Sequence, residues 1–146
     1  MLAPRLGYQP GVEPKNNDSL VLRARYGATS VLLAGDSEAP EEEAMLESAA
    51  ARANAASGDE LRSSVLKVGH HGSVTSTRPG FLACVAPQWA VISCGRRNRF
   101  GHPRPEILAE LQAAQARTFR TDLTGATCLV LDGVSVTAQP LCREPQ

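Results

Sequence analysis

Four residues that could bind a metal ion lie just beyond the ends of apolar runs. Asp36 follows "SVLLAG", His70 and His71 follow "SVLKVG", and His102 lies a few residues after "WAVISC". Imidazole nitrogens and carboxylate oxygens are the usual ligands of zinc and manganese, and a bound ion makes water a competent nucleophile near neutral pH. Together these positions predict a metal or anion site.

Cationic side chains accompany the last of these residues. The stretch "GRRNRFGHP" carries Arg96, Arg97 and Arg99 ahead of His102. Guanidinium groups bind phosphate oxygens through paired hydrogen bonds, so this loop suits an anionic substrate such as a phosphodiester.

Each of these residues also has a structural interpretation, which spacing alone leaves open. A single Asp36 after a strand is more often a turn residue or a helix cap. His70 and His71 alone fit an exposed turn equally well, and His102 before proline also fits the start of a helix. The arginines fit a solvated loop, and the hydroxyl residues of "SVTST" fit a turn and cap before "RPGFLACVA".

The elements that must position the site follow from the periodicity of the sequence. "SLVLRARYGATSVLLAG" predicts a β-hairpin, and "APEEEAMLESAAARANAAS" predicts a helix of about four turns. "SVLKV" and "WAVISC" predict strands that are buried on both faces. A helix is predicted after each strand, in "RPGFLACVA" after the first and in "RPEILAELQAAQA" after the second. "TFRT", "ATCLVLDG" and "VSVTAQ" predict three closing strands.

This order of elements predicts an α/β fold in which helices cover a sheet. The loops at the carboxyl ends of its strands would open on one crevice, which would bring Asp36 and the histidines together. Glycine on both sides of the histidine pair allows a sharp turn and a close approach there.

Length and composition bound the other possibilities. The chain has 146 residues, 42% of them apolar, and fifteen basic side chains balance fifteen acidic ones, so we expect one globular domain without a strongly basic nucleic-acid surface. We predict an irregular lead-in over 1–18, a domain over 19–139 and a tail over 140–146. No apolar run approaches the roughly 20 residues needed to cross a bilayer, and no signal peptide is visible, so the chain is expected to be soluble as given.

The four cysteines include no C-x-x-C pair, which argues against a zinc ribbon or a thioredoxin-type motif. We expect these thiols to be mostly buried, as small hydrophobic groups.

Three stretches in this order carry a family resemblance: "NNDSLVLRARYGATSVLLAGD", "LKVGHHGSVTS" and "AVISCGRRNRFGHPRPEIL". They resemble the metallo-β-lactamase-like domain at the C-terminal end of ComEC-type competence proteins, the channels for DNA uptake. The resemblance extends from Asn16 to about Gly133.

The resemblance implies an αββα sandwich with a dinuclear zinc or manganese site at one edge. It places Asp36 as the metal-bridging carboxylate, His70 as the favoured late ligand, and His71 as a neighbouring ligand or a substrate contact. It places His102 against substrate phosphate or in support of the site, and it adds Lys67 and Ser73 as anion-binding candidates. The implied catalytic residues are Asp36, His71 and His102, and the implied chemistry is hydrolysis of a phosphodiester in single-stranded DNA by metal-activated water.

The chain also departs from the family pattern. Metallo-β-lactamase folds carry an H-x-H-x-D-H-like ligand run in their first half, and nothing before Asp36 replaces it. We therefore expect the C-terminal half of the sandwich, with an exposed apolar sheet face that favours poor solubility, self-association or pairing with a missing N-terminal half. The membrane channel of the family is not in this chain, although relatives place the domain outside the cytoplasmic membrane.

Two hypotheses of different classes follow. The first is a fragment of a ComEC-type metallo-hydrolase that is active when its ligand set is complete. Without the N-terminal ligands, we expect its metal binding to be weak or lost. The second is a non-catalytic DNA-binding or assembly module that uses the arginine loop, or an inactive remnant of the same fold.

Overall fold

A five-stranded mixed sheet forms the centre of the molecule in the computed structural model, which describes residues 1–5, 7–52 and 60–139. Its strands lie side by side in chain order, and a separate two-stranded antiparallel sheet follows. The strands are β1 (Leu22–Tyr26), β2 (Thr29–Leu33), β3 (Val65–Lys67), β4 (Trp89–Ile92), β5 (Arg117–Arg120), β6 (Cys128–Leu131) and β7 (Val136–Gln139). The predicted α/β class is confirmed.

Strand pairing explains why the site residues meet. β1 and β2 form the predicted antiparallel hairpin, and β2, β3, β4 and β5 are all parallel. Parallel strands end at the same edge, so the loops after β2, β3 and β4 open together.

Helices connect the parallel strands. They are α1 (Ala39–Arg52), α2 (Pro79–Val85) and α3 (Pro105–Ala113), and a single helical turn, α4 (Thr121–Thr124), follows β5. Proline at the start of α2 and α3 fits the first turn, where its missing N–H has no helical partner. The predicted end of the first helix, beyond residue 52, lies outside the described residues, and the sequence pattern did not predict α4.

The hydrophobic core lies on one face of the sheet. Leu32, Leu66, Ala90 and Ile92 point to this face and are fully buried, and Phe81, Val85 and Leu111 of the helices pack in the same cluster. Strand alternation places successive side chains on opposite faces, so one face carries the core.

The opposite face is less well covered. In register, Leu22, Leu33, Lys67, Val91 and Phe119 form one row across it, and Leu33 is 42% exposed. In β4, half-buried and buried residues alternate, so one face of this strand is only half-buried and the prediction that it is buried on both faces is wrong. The prediction failed because helices pack on only one side of β4 in the described part of the chain.

The N-terminal segment contributes to the core despite its irregular path. Ala3 is fully buried and forms an isolated antiparallel bridge with Val21, and a short 3-10 turn spans Asn16–Asp18. The predicted tail over 140–146 lies outside the described residues.

The prediction of mostly buried thiols is wrong for the described cysteines. Cys84 is exposed, and Cys94 and Cys128 are half-buried, while Cys142 lies outside the described residues. Cys84 is exposed because α2 buries Phe81, Leu82 and Val85, which leaves Cys84 on the outer side. None of the helices in the described ranges is long and apolar enough to cross a membrane.

Candidate metal and phosphate site

Asp36 and the three histidines meet at the carboxyl-end edge of the sheet, as their spacing predicted. The His70 ring lies 5.7 Å from the His102 ring and 6.5 Å from the His71 ring, measured between centroids. Nε2 of His71 lies 3.6 Å from Oδ1 of Asp36. Three loops, after β2, β3 and β4, therefore contribute to one cluster.

A backbone carbonyl orients the His71 ring. Nδ1 of His71 lies 2.5 Å from the carbonyl oxygen of Ser93, at the end of β4. A carbonyl only accepts hydrogen bonds, so Nδ1 carries the proton and Nε2 faces Asp36. A neutral His71 then presents its free lone pair beside the carboxylate, as metal-ligating histidines do, and a protonated one forms an ion pair.

The histidine turn holds an uncommon backbone conformation. His70 and His71 both have positive φ, at 42° and 55°, in the left-handed region that favours glycine. Gly72 follows at φ 87°, and a Cβ built there would lie 2.6 Å from Cβ of Pro103. The amide of Arg104 donates to the Gly72 carbonyl at 2.9 Å. Close packing of the two loops thus requires glycine at 72, and it brings His102 to the histidine pair.

His70 faces a different carboxylate. Its Nδ1 lies 3.3 Å from Oε1 of Glu38 and 3.2 Å from the Thr75 hydroxyl. Thr75 also donates to Glu38 at 2.8 Å. Burial by itself would raise the pKa of Glu38, but hydrogen bonds from Thr75 and Asn16 and the proximity of His70 lower this pKa below its ordinary value. His71, rather than the favoured His70, therefore turns toward Asp36.

Residues that the sequence interpretation missed hold the Asp36 loop in place. The Ser19 hydroxyl accepts a hydrogen bond from the Asp36 amide at 3.0 Å, and the Asn17 side chain accepts one from the Glu38 amide at 2.8 Å. Two features of the sequence could have indicated these contacts. Glu38 lies two residues after Asp36, and "NNDS" belongs to the first stretch that resembles the competence proteins.

Asn98, also missed, holds the loop that carries His102. Its side-chain oxygen accepts the His102 amide at 2.9 Å, and its nitrogen donates to the His102 carbonyl at 2.7 Å. Burial, together with the nearby His70, His71 and Arg104, lowers the pKa of His102, which favours the neutral ring. Nδ1 of His102 is buried without a hydrogen-bond partner among the described residues.

Two of the predicted anion-binding residues are engaged within the fold. Lys67 is half-buried and donates to the Gly35 carbonyl at 3.2 Å, and burial lowers its pKa against the opposing effect of Asp36. The Ser73 side chain is buried, and its hydroxyl lies 2.9 Å from that of Thr75. Lys67 thus places positive charge near Asp36, whereas Ser73 mainly shapes the loop.

The three arginines after β4 remain at the surface. Arg96 donates to the Asp122 carbonyl at 3.3 Å, and the guanidinium carbon of Arg99 lies 5.1 Å from the centre of the Phe100 ring. Arg97 is exposed. The loop therefore gives one flank of the cluster a positive character.

The donor atoms fit part of a metal site. Two ligands placed about 2.1 Å from one ion at a tetrahedral angle lie about 3.4 Å apart, close to the 3.6 Å between His71 and Asp36. The carbonyl behind His71 is the outer contact that metal-ligating histidines require. Within residues 1–5, 7–52 and 60–139 no group of three His, Cys, Asp or Glu side chains is arranged to hold an ion. The described residues thus supply a ligand pair.

Comparison with known proteins shows similarity to competence proteins. The chain is 38% identical over 116 residues to ComE operon protein 3 of Bacillus subtilis, and 36% identical over 126 residues to competence protein ComA of Neisseria gonorrhoeae. It is 34% identical over 110 residues to recombination protein 2 of Haemophilus influenzae. These matches cover 80%, 86% and 75% of the chain. No protein-family model and no solved structure matches.

The matched region is a small part of each relative, 14%, 17% and 13% of their respective lengths. The chain has an α/β fold with a candidate ligand site at the edge of its sheet. By homology over most of its length it belongs with the corresponding segment of ComEC-type competence proteins.

Proposed function

We propose that this chain carries the late part of the active site of a metal-dependent phosphodiesterase of the metallo-β-lactamase-like type, whose substrate is single-stranded DNA. The observation that carries the proposal is the His71–Asp36 pair, with the far nitrogen of His71 held by a backbone carbonyl. The competence names of the relatives support DNA as the substrate.

Asp36 and His71 would hold a zinc or manganese ion together with ligands from another part of the protein. When bound, such an ion supplies Lewis-acid polarisation of the phosphate and a more acidic water. The neutral ring of His102 is a suitable hydrogen-bond partner for a phosphate oxygen or a leaving group, after a shift that exposes its buried nitrogen. Lys67 and the exposed arginines favour the approach of an anion.

The test is cleavage of labelled single-stranded DNA with manganese or zinc added, by the chain alone and with a polypeptide that supplies the H-x-H-x-D-H-like run. We expect cleavage that depends on the metal and on the added segment, and that is lost in Asp36→Ala. Glu43→Ala, an exposed carboxylate on α1, is the matched control and should leave the rate unchanged. Absence of metal-dependent cleavage with the segment supplied would contradict the proposal.

A second function is favoured by the exposed arginine loop beside the cluster. In this alternative the chain binds the DNA backbone without cleaving it, as a binding or assembly module. Binding would then weaken steeply with salt, persist in chelator and survive Asp36→Ala. Strand cleavage lost in Asp36→Ala selects the first function over this one.

A further inference from the structure

A cavity of about 300 Å³ opens beside His71, on the side of the loop after β4. This volume is at the lower end of the range for small-molecule sites. Its lining includes His71, one member of the candidate ligand pair, together with Ser93, whose carbonyl binds Nδ1 of the His71 ring. The lining residues are His71, Ser93, Cys94, Gly95, Asn98, Phe100 and His102.

An exposed aromatic ring borders this cavity. Phe100 is 63% exposed, and its ring lies 5.9 Å from the His102 ring at an angle of 15°, a stacked arrangement. The Arg99 guanidinium lies over the Phe100 ring. Flat aromatic and guanidinium surfaces are the groups on which unpaired bases stack in proteins that bind single-stranded nucleic acid.

Hydrogen bonds fix the backbone of the loop that carries this ring. Asn98 makes three hydrogen bonds with its side chain, to His102 N–H, to the His102 carbonyl and to the Gly95 carbonyl. Pro103 packs against Gly72 on the other side. A preorganised apolar ring at a cavity mouth is typical of a binding surface, because it has little conformational entropy to lose on contact.

We propose that this cavity is a nucleobase site, in which the base stacks on Phe100 while the adjoining phosphate lies at the Asp36–His71 pair. The inference rests on the proposed function for the position of the phosphate. Stacking on Phe100 needs no specific base edge, so the site would accept any base with modest preferences. Because the Arg99 guanidinium lies over the Phe100 ring, the base would displace it, and Arg99 would then contact the backbone.

Binding in chelator, without metal, isolates the base contribution from cleavage. The probes are a short fluorescent oligothymidylate and an abasic strand of equal length and charge, followed by anisotropy with the whole chain. We expect the base-bearing strand to bind more tightly, and Phe100→Ala to weaken its binding by about 5- to 100-fold, while the abasic strand is unaffected. Phe100→Trp should restore the preference. Leu123→Ala, at another exposed apolar residue, is the matched control and should change neither affinity.

The outcomes separate this site from the proposed hydrolysis. If wild type shows no preference for the base-bearing strand, or if Phe100→Ala weakens both strands equally, the nucleobase site is wrong. A preference that is lost in Phe100→Ala and kept in Asp36→Ala supports the site even if no cleavage is found. If thymidine monophosphate displaces the labelled strand, the site binds free nucleotides as well as strands. If only oligonucleotides displace it, the site is specific for strands.

Discussion

Nε2 of His71 faces Oδ1 of Asp36 across 3.6 Å, from loops that follow two adjacent parallel strands. The two residues are 35 positions apart in sequence, and the parallel pairing of β2 and β3 brings them to the same edge. The Ser93 carbonyl of a third strand end then fixes which nitrogen faces the carboxylate. His71 and His70 are therefore expected to contribute differently to metal binding.

Replacement of His71 should weaken metal binding more than replacement of His70. We expect His71→Ala and Asp36→Ala each to lower zinc or cobalt affinity by about 10- to 100-fold, the range seen when contacts in a metal site are removed. His70 faces Glu38 and Thr75, so His70→Ala should have a smaller effect. Titration calorimetry of each variant, with the polypeptide that carries the H-x-H-x-D-H-like run supplied, measures this, and an equal or larger loss for His70→Ala would contradict the assignment of His71.

Substitution of Gly72 should separate the histidine loop from the His102 loop. In Gly72→Ala the new methyl group would meet Pro103 at 2.6 Å in a backbone with φ 87°, so we expect a loss of about 1–3 kcal/mol in the free energy of unfolding. The matched control is Gly95→Ala on the next loop, because a Cβ there meets no described atom within 4 Å. Urea denaturation of both variants provides the comparison, and equal stability of the two would show that the loops do not pack this closely.

The convergence of the site was predictable because it depends on strand order, which hydrophobic periodicity reveals. Asp36, His71 and His102 all follow apolar runs, and parallel pairing determines that such positions meet. The choice between His70 and His71 was not predictable, because adjacent residues share the same strand and the same glycines. It depends on a positive φ at both residues and on the Ser93 carbonyl of a different strand.

Residues on the surrounding loops were hard to predict for a similar reason. Asn98 and Phe100 act through the direction in which an irregular loop presents them, and no periodicity encodes that direction. The single turn α4 is too short to give a periodic pattern, so its Asp122 was also missed.

Glu42 should contribute strongly to stability although it is an acidic residue. Its side chain is fully buried. It accepts hydrogen bonds from the backbone amides of Thr77 and Arg78, just before α2, at 2.5 and 2.9 Å. Glu42→Ala would leave these amides unpaired, so we expect a loss of about 2 kcal/mol in unfolding free energy. Glu43→Ala, at the exposed neighbouring position, should change stability by less than about 0.5 kcal/mol. Chemical denaturation checks both, and similar values would contradict this role.

Acid should remove the stabilisation that Asp122 provides. Arg120 donates two hydrogen bonds to Asp122, at 3.1 and 2.7 Å, and these bonds are the main reason that the pKa of Asp122 is lowered. A lowered folded-state pKa means that the contribution is present above the ordinary pKa of 3.8 and is lost as the pH falls through the folded value. Asp122→Asn should therefore cost about 1 kcal/mol at neutral pH and little in strong acid. Thermal unfolding over this pH range tests it, and an equal cost at both extremes would exclude the linkage.

The open sheet face predicts self-association of the isolated chain. Leu22 and Leu33 are 37% and 42% exposed in one row of that face, and Trp89 stacks on Phe119 beside them. Burying a leucine side chain is worth about 1.5–3 kcal/mol, so Leu33→Glu should weaken association by roughly tenfold or more. Lys67 lies in register beside position 33 and would accommodate the new charge in the folded chain. Val12→Glu, at a fully exposed residue of the lead-in, is the control and should leave association unchanged. Sedimentation velocity across a concentration series measures this, and a monodisperse wild-type monomer at high concentration would show that the face needs no partner.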